Sequence, residues 1–348
     1  MDKIKIGKRS IGKSYPCFVI AEAGVNHNGQ IKLAKKLIDA AITAGADAVK
    51  FQTFKPEELA TKTAGVANYA KRNLGKSIDQ LTLLKNVILQ YEDFKILKKY
   101  CDDKGIIFLS TPHSFDAIDF LDELVPAYKF GSGDITNLPS LEYAAGKHKP
   151  MILGTGMATL QDVKEAIRVI KTTGNDQIIA LHCTTNYPCP LEEVNLRAMI
   201  TMQQELDCLV GYSDHTSGIT VPIMSTAFGA VILEKHLTLD KNLPGPDHKA
   251  SLEPDEFTQM VIEIRNAEKA LGSFEKKPTS SEKNMMSLVR KSIVANQDIK
   301  PGTVISHTML SFKRPGIGLP PAQMENIIGK KAKHPIAKDE IIRFDMVE

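Results

Sequence analysis

The stretch AVILEKH at 230–236 is apolar for four residues and then ends in a carboxylate, an ammonium and an imidazole. Seven other stretches are built alike: CFVIAEA (17–23), DAVKFQT (47–53), IIFLSTP (106–112), AYKFGSG (127–133), PMILGT (150–155), QIIALHC (177–183) and CLVGYS (208–213). Runs this short, closed by polar or glycine-rich residues, read as strands buried on both faces. Between them apolar residues recur every three or four positions, as in IKLAKKLIDAAITAG (31–45), LQDVKEAIRVIKTTG (160–174) and NLRAMITMQQEL (195–206). That is the period of an amphipathic helix. Eight strand–helix units predict a closed parallel (β/α)8 TIM barrel, with an open doubly wound sheet as the alternative. One interval is long. KPEELATKTAGVANYAKRNLGKS (55–77) reads as a loop over the barrel mouth, followed by the helix DQLTLLKNVIL (79–89).

The last barrel helix, EFTQMVIEIRNAEKAL, finishes just before Gly272, which places the barrel at 1–272. The next residues, 273–287, are rich in Lys, Ser, Pro and Glu and read as a linker. From 288 to 348 the character becomes β-type, in LVRKSIVA, TVISHTMLSFK and EIIRFDMV. DIKPGTVI (298–305) faintly echoes PIAKDEII (335–342), which suggests two similar β units in a small domain. A domain of that size holds little core, so it is expected to lean on a partner surface.

The 348 residues are 43% hydrophobic and 24% charged, which excludes disorder and filaments. Forty-four basic residues against 41 acidic ones leave a net charge of +3, and nothing in that balance calls for nucleic acid or a membrane surface. The five cysteines form no CxxC pair, which favours free thiols in a reducing compartment. No run has the length of a membrane span, and the Lys-rich opening residues lack the apolar core of a signal peptide. The expectation is a soluble cytoplasmic enzyme.

In a TIM barrel the site lies where the strands end. Those ends carry Glu22, Lys50, Ser110 with Thr111, Lys129 with Ser132 and Asp134, Thr155, His182, Ser213 with Asp214 and His215, and Glu234 with His236. Lys50 and Lys129, with the hydroxyls of Ser132 and Ser213, read as a cradle for a phosphate or carboxylate. Alternatively, each lysine pairs with a carboxylate in the mouth. His215 and His236 close neighbouring strands and either share a divalent ion or serve structure. His113, His148, His307 and His334 have no such setting and read as surface or structural. The glycine loops GVNHNG (24–29) and GSG (131–133) do not match a nucleotide-binding fingerprint.

AEAGVNHNG (21–29), DAVKFQTFKPEEL (47–59), YKFGSGDITNLPSL (128–141), LHCTTNYPCPLEEVNL (181–196), VGYSDHTSG (210–218), EKHLTLDKNLPGPDHKASLEPDE (234–256) and the span from RKSIVA to KRPGIGLPP (290–321) resemble the sialic acid synthase family. The resemblance covers nearly the whole chain. It implies a TIM barrel followed by a small antifreeze-like (SAF, β-clip) domain. It also implies condensation of phosphoenolpyruvate with an N-acylated mannosamine-type sugar, with phosphate released by C–O cleavage. By motif, Lys50, Thr111, Lys129, Ser132, Thr155 and Ser213 correspond to phosphoenolpyruvate contacts, and Glu22, Tyr187 and Asp247 to sugar contacts. His215 and His236 correspond to ligands of Mn2+ or Mg2+, and Glu22 or Asp134 to the carboxylate that handles protons. Arg314 corresponds to an arginine donated by the other subunit of a domain-swapped homodimer. The chain departs from the family pattern at Asp134, where glutamate is usual, at Gly154, where the usual STGM has become GTGM and a hydroxyl beside Thr155 is lost, and at Thr185, an asparagine in some members.

On these grounds the expected activity is N-acetylneuraminate synthase acting on N-acetylmannosamine. The alternative is N,N'-diacetyllegionaminate synthase acting on 2,4-diacetamido-2,4,6-trideoxymannose. A pseudaminate synthase fits less well. A heptulosonate-phosphate type synthase would want arginines for a second phosphate, and Arg72 and Arg314 lie in loops. A non-catalytic ice- or carbohydrate-binding protein would show a flat repeated Thr or Asn face, and the tail has none.

Overall fold

The structure, a computed structural model, describes residues 2–66, 71 and 79–348. It opens with a hairpin the sequence reading did not foresee, β1 (Ile4–Ile6) antiparallel to β2 (Arg9–Ile11). The eight expected strands follow: β3 (Phe18–Gly24), β4 (Ala48–Thr53), β5 (Ile107–Pro112), β6 (Tyr128–Phe130), β7 (Met151–Gly154), β8 (Ile178–His182), β9 (Leu209–Asp214) and β10 (Ile232–His236). They form one parallel sheet in the order β5-β4-β3-β10-β9-β8-β7-β6. Its outermost strands, β5 and β6, lie against each other, so the sheet curls into a nearly closed barrel.

Side chains alternate across each strand, and this separates two cores. Phe18, Ile20, Leu109, Ile152, Ile179 and Ile232 face the axis and pack with Ile4, Ile6 and Ile11 of the hairpin. The hairpin therefore closes the barrel end where the strands begin. Their neighbours Val19, Ala21, Phe108, Leu153 and Leu233 face outward onto the helices. The helix Leu160–Thr172 shows why those helices form: Val163, Ala166, Ile167 and Ile170 make one buried stripe. Thr159 and Asp162 close a capping box at its start, a device worth about 1 kcal/mol.

The long stretch after β4 begins with a short helix, Pro56–Leu59, and resumes with Gln80–Val87. Residues 67–70 and 72–77 of the loop expected over the mouth, Arg72 included, lie outside the described residues.

The chain divides into two compact units, Met1–Gly272 and Ser273–Glu348. In the second, residues 273–287 are more than a linker, because Ser280–Val289 is a helix whose start is capped by Thr279 and Glu282. The Thr-x-x-Glu signature was present in the sequence but was masked by linker-like composition. Two strands, β11 (Ser292–Ala295) and β12 (Leu310–Lys313), pair antiparallel. The two echoing segments meet as well: Ile299 and Ile336 exchange backbone hydrogen bonds of 2.8 and 2.9 Å. Ile293, Ile299, Ile305, Leu310, Ile327 and Ile342 give this domain a core of its own. Among the described residues no helix is long and apolar enough to cross a membrane.

Candidate active site

Two-residue periodicity puts Phe18, Ile20 and then Glu22 on the inner face of β3. The same count carries Ala48 to Lys50, Leu109 to Thr111, Ala127 to Lys129, and Ile232 to Glu234 and His236. The apolar inner layers thus end in one polar layer at the strands' C-terminal ends, around a cavity of about 180 Å3. Glu22, Lys50, Thr111, Lys129, Ser132, Tyr187, Ser213, His215, His236 and Asp247 all line it.

Both lysines are paired, so the reading in which each meets a carboxylate in the mouth describes their neighbours. Lys50 Nζ lies 2.7 Å from Glu22 Oε2, 3.7 Å from Glu234 Oε1, and donates to Thr111 Oγ1 at 3.1 Å. Lys129 Nζ lies 3.3 Å from Glu234 Oε1 and donates to the Phe130 carbonyl at 3.1 Å. Gln52 donates to Glu22 Oε1, and Ser213 to Glu234 Oε1 at 3.4 Å. All four charged groups are buried. Burial pushes Lys129 below the usual lysine range, whereas for Lys50 the charges of Glu22 and Glu234 outweigh burial and raise it. Burial raises Glu22; for Glu234 the two lysines outweigh burial and hold it low.

The two candidate metal ligands are brought together by register. Ser213 pairs with Glu234 between β9 and β10, so the residues two further along, His215 and His236, emerge side by side. Their ring centroids are 5.6 Å apart, and Tyr187 packs on both, at 4.1 and 5.6 Å. Burial lowers His215 to about 4 and pushes His236 well below the usual histidine range, with the charge of His215 adding to it. Both are neutral at pH 7, the form that ligates metal. His215 Nδ1 lies 2.7 Å from the Thr184 carbonyl, which fixes its proton there and leaves the Nε2 lone pair available. His236 Nδ1 is buried without a hydrogen-bond partner among the described residues. No group of three His, Cys, Asp or Glu side chains suited to a metal exists among the described residues. Two neutral imidazoles side by side are a donor pair that fits a divalent ion. Asp247 faces the same cavity, and burial beside Glu22 raises its carboxyl to about 7.

Three candidates lie elsewhere. Thr155 turns away, its hydroxyl donating to the Leu181 carbonyl at 2.9 Å, and it lines a neighbouring cavity with Met157, His182 and Asn195. Asp134 stands outside the lining, 3.5 Å from His113. Arg314 follows β12 in the small domain. Of the side chains in the lining, sequence reasoning did not single out Gln52 or Cys183, set His113 aside, and named Glu234 at its strand end without giving it a role. Once the inner face is known, alternation places Gln52 with Lys50 and Glu234 with His236, each two positions away. Cys183 accepts from Gly156 N–H at 3.1 Å and meets Ser132 Oγ at 3.1 Å, and a side chain on Gly156 would collide there. His113 was read as surface or structural, but it follows directly after β5 and enters the wall.

A TIM barrel with charged and imidazole groups at its strand ends, joined to a small β domain, defines a class of two-domain barrel enzymes, and comparison with known proteins narrows it. The NeuB family model matches residues 37–276 and the SAF domain model matches residues 290–348. The chain belongs to the NeuB family. It is 45% identical over 347 residues to the N,N'-diacetyllegionaminic acid synthase of Legionella pneumophila, covering 98% of each chain. It is 36% identical to human N-acetylneuraminate-9-phosphate synthase over 345 residues, covering 98% of this chain and 95% of that one. Among solved structures, the N-acetylneuraminic acid (sialic acid) synthetase of Leptospira borgpetersenii superposes with a TM-score of 0.72 at 34% identity, covering 82% of this chain and 95% of that one.

Proposed function

We propose that this protein is a nonulosonic acid synthase that condenses phosphoenolpyruvate with 2,4-diacetamido-2,4,6-trideoxymannose and water, giving N,N'-diacetyllegionaminate and phosphate. The carrying observation is the cavity in which two lysines, two carboxylates and two neutral imidazoles converge. The choice of sugar follows the relatives: identity to the Legionella legionaminate enzyme is 45%, against 36% to the human neuraminate-phosphate enzyme. The sequence reading put N-acetylmannosamine first, and that sugar remains the second candidate.

In this reading Lys50, Thr111, Lys129, Ser132 and Ser213 hold phosphoenolpyruvate, the lysines meeting the charge of its phosphate. Glu22, Tyr187 and Asp247 hold the sugar so that its aldehyde carbon faces the methylene carbon of the enol ester. A divalent ion, Mn2+ or Mg2+, would be held by His215 and His236 and would supply Lewis-acid polarisation of the aldehyde carbonyl. The burial of Glu22, Lys50, Lys129 and Glu234 keeps water scarce and their fields strong.

Phosphate release from phosphoenolpyruvate, measured with each sugar in turn, tests the activity and the sugar together. Release that depends on the diacetamido sugar is expected. Equal or faster release with N-acetylmannosamine would reverse the choice, and no release with either would end the proposal. Chelation should abolish that activity and added Mn2+ restore it; full activity in metal-free protein would remove the ion.

The helix Ser280–Val289 buries none of its residues, which supports a second copy as partner. The proposed assembly is a domain-swapped homodimer in which Arg314 serves the partner's barrel. Mixing His236→Ala with Arg314→Ala under subunit exchange should restore roughly a quarter of wild-type activity, because mixed dimers then hold one intact site. A dead mixture with confirmed exchange would exclude the swap.

A further inference from the structure

We infer that His113 is a catalytic residue of the condensation proposed above and that Asp134 is its positioning residue; the inference deepens that reading and rests on it. His113 lines the cavity in company with Thr111, Lys129 and Ser132, whereas Asp134 stands outside the lining at the end of the single-turn helix Ser132–Asp134. The ring joins the two. His113 Nδ1 lies 3.5 Å from Asp134 Oδ2, with side chains only 16% and 20% exposed. On the other edge of the ring, Nε2 is buried and has no hydrogen-bond partner among the described residues. Phe54 meets the ring edge-on at 6.1 Å, and the His113 backbone N–H donates to the Thr53 carbonyl at 3.2 Å. A buried nitrogen left unpaired in the wall of a substrate cavity calls for an explanation, and a hydrogen-bonding substrate atom supplies one.

A carboxylate beside Nδ1 favours the tautomer with its proton on that nitrogen and leaves the lone pair on Nε2. The 3.5 Å separation is long for a hydrogen bond, and such contacts tighten when substrate fills a site. The lone pair then acts on the water that adds to the phosphate-bearing carbon. The water oxygen bonds that carbon while one of its protons passes to Nε2, and Asp134 balances the imidazolium. The ester C–O bond breaks with its electron pair on the phosphate oxygen, which takes that proton back. The remaining hydroxyl proton leaves as the carbonyl forms and neutralises the alkoxide made from the aldehyde oxygen. The two hydrogens of water thus end on phosphate and on the new hydroxyl, with no oxidant or reductant required. Asp134 touches no substrate in this scheme; its short side chain, which also accepts from Asn137 Nδ2 at 3.4 Å, is set to orient the ring.

The test uses the full chain with saturating metal and both substrates, and wild type is run beside every variant. His113→Ala should lower kcat about a hundredfold while the KM for phosphoenolpyruvate moves less than about threefold. Added imidazole should restore part of the loss and leave wild type unaffected. Asp134→Asn should lower kcat about tenfold, and the double variant should be no slower than His113→Ala, since both changes act on one proton. His113→Gln, closer in shape, covers the case in which the alanine variant fails to fold, and should show the same kcat loss. An active wild type with His113→Ala or His113→Gln at near-normal kcat, or with a loss confined to KM, or with no response to imidazole, would overturn the role of His113. A silent wild type would instead overturn the synthase reading itself.

Discussion

Two buried charge clusters sit back to back on β9 and β10. Facing the helices, Lys235 meets Asp214 and the Thr216 carbonyl, and both charged side chains are fully enclosed. Asp214 also accepts from Tyr212 Oη and from Thr216 Oγ1, each at 3.0 Å. Facing the axis, Glu234 stands between Lys129 and Lys50 at 3.3 and 3.7 Å, and its second oxygen has no hydrogen-bond partner among the described residues. Among the same residues His236 Nδ1 beside it is unpartnered as well. The outer cluster is saturated; the inner one is unsaturated and surrounds a cavity. Equal burial therefore means different things. A closed network fixes the spacing of two strands, and an open one leaves capacity for a substrate.

Breaking the outer cluster should have the largest effect. Asp214→Ala leaves the Lys235 ammonium buried without its counter-charge, a loss of about 3–5 kcal/mol. Urea unfolding should show it as a lowered midpoint. A loss under about 1 kcal/mol would mean that Lys235 finds water, and would erase the contrast between the clusters.

Next comes Asp247, whose carboxyl is raised to about 7 by burial and by Glu22. Below about pH 4 the folded and unfolded states are both protonated and the group has no effect on stability. Between about pH 4 and 7 the unfolded chain loses the proton while the folded one keeps it, so the folded state is increasingly penalised. Above about 7 the penalty is constant, and the rise from the ordinary carboxylate range to about 7 bounds it at about 4 kcal/mol. In metal-free protein, Asp247→Asn should gain stability over wild type as pH rises through that window and then hold level. A pH-independent difference would place Asp247 in contact with water.

The smallest effect expected belongs to the inner cluster. Lys129→Ala removes one charge-assisted contact of about 1.5–3 kcal/mol, so kcat/KM should fall about ten- to over a hundredfold. Stability should hold or rise, since a buried charge is gone. Lys129→Arg should not rescue fully, because a planar guanidinium is larger and differently directed. Unchanged kinetics with lowered stability would move Lys129 into the structural class that Asp214 represents.

The barrel was legible because strand-length apolar runs recur at helix-length intervals, and that pattern has few packed solutions. So was the polar layer: Glu22, Lys50, Lys129 and Glu234 each interrupt a run in which a core alone would want Val or Ile. The hairpin Ile4–Ile6 with Arg9–Ile11 was not, since strands of three residues carry too little pattern to separate from a loop. Thr155 and His113 exchanged standing for a related reason. Each ends or follows a strand, and the final backbone turn decides whether a hydroxyl meets Leu181 or a ring meets Asp134.

By itself, then, the sequence determined the strands, their helices, the small β domain and the chemical types gathered at the strand ends. These depend on local periodicity and composition. Tertiary structure alone decided which of two adjacent charged residues faces inward, Glu234 to the cavity and Lys235 to the helices. It also decided that His215 meets His236 and that His113 meets Asp134. Alternation makes neighbours opposite but leaves the inner side unnamed. Only the register between strands far apart in the chain, and the curvature that brings β5 against β6, converts residue types into distances.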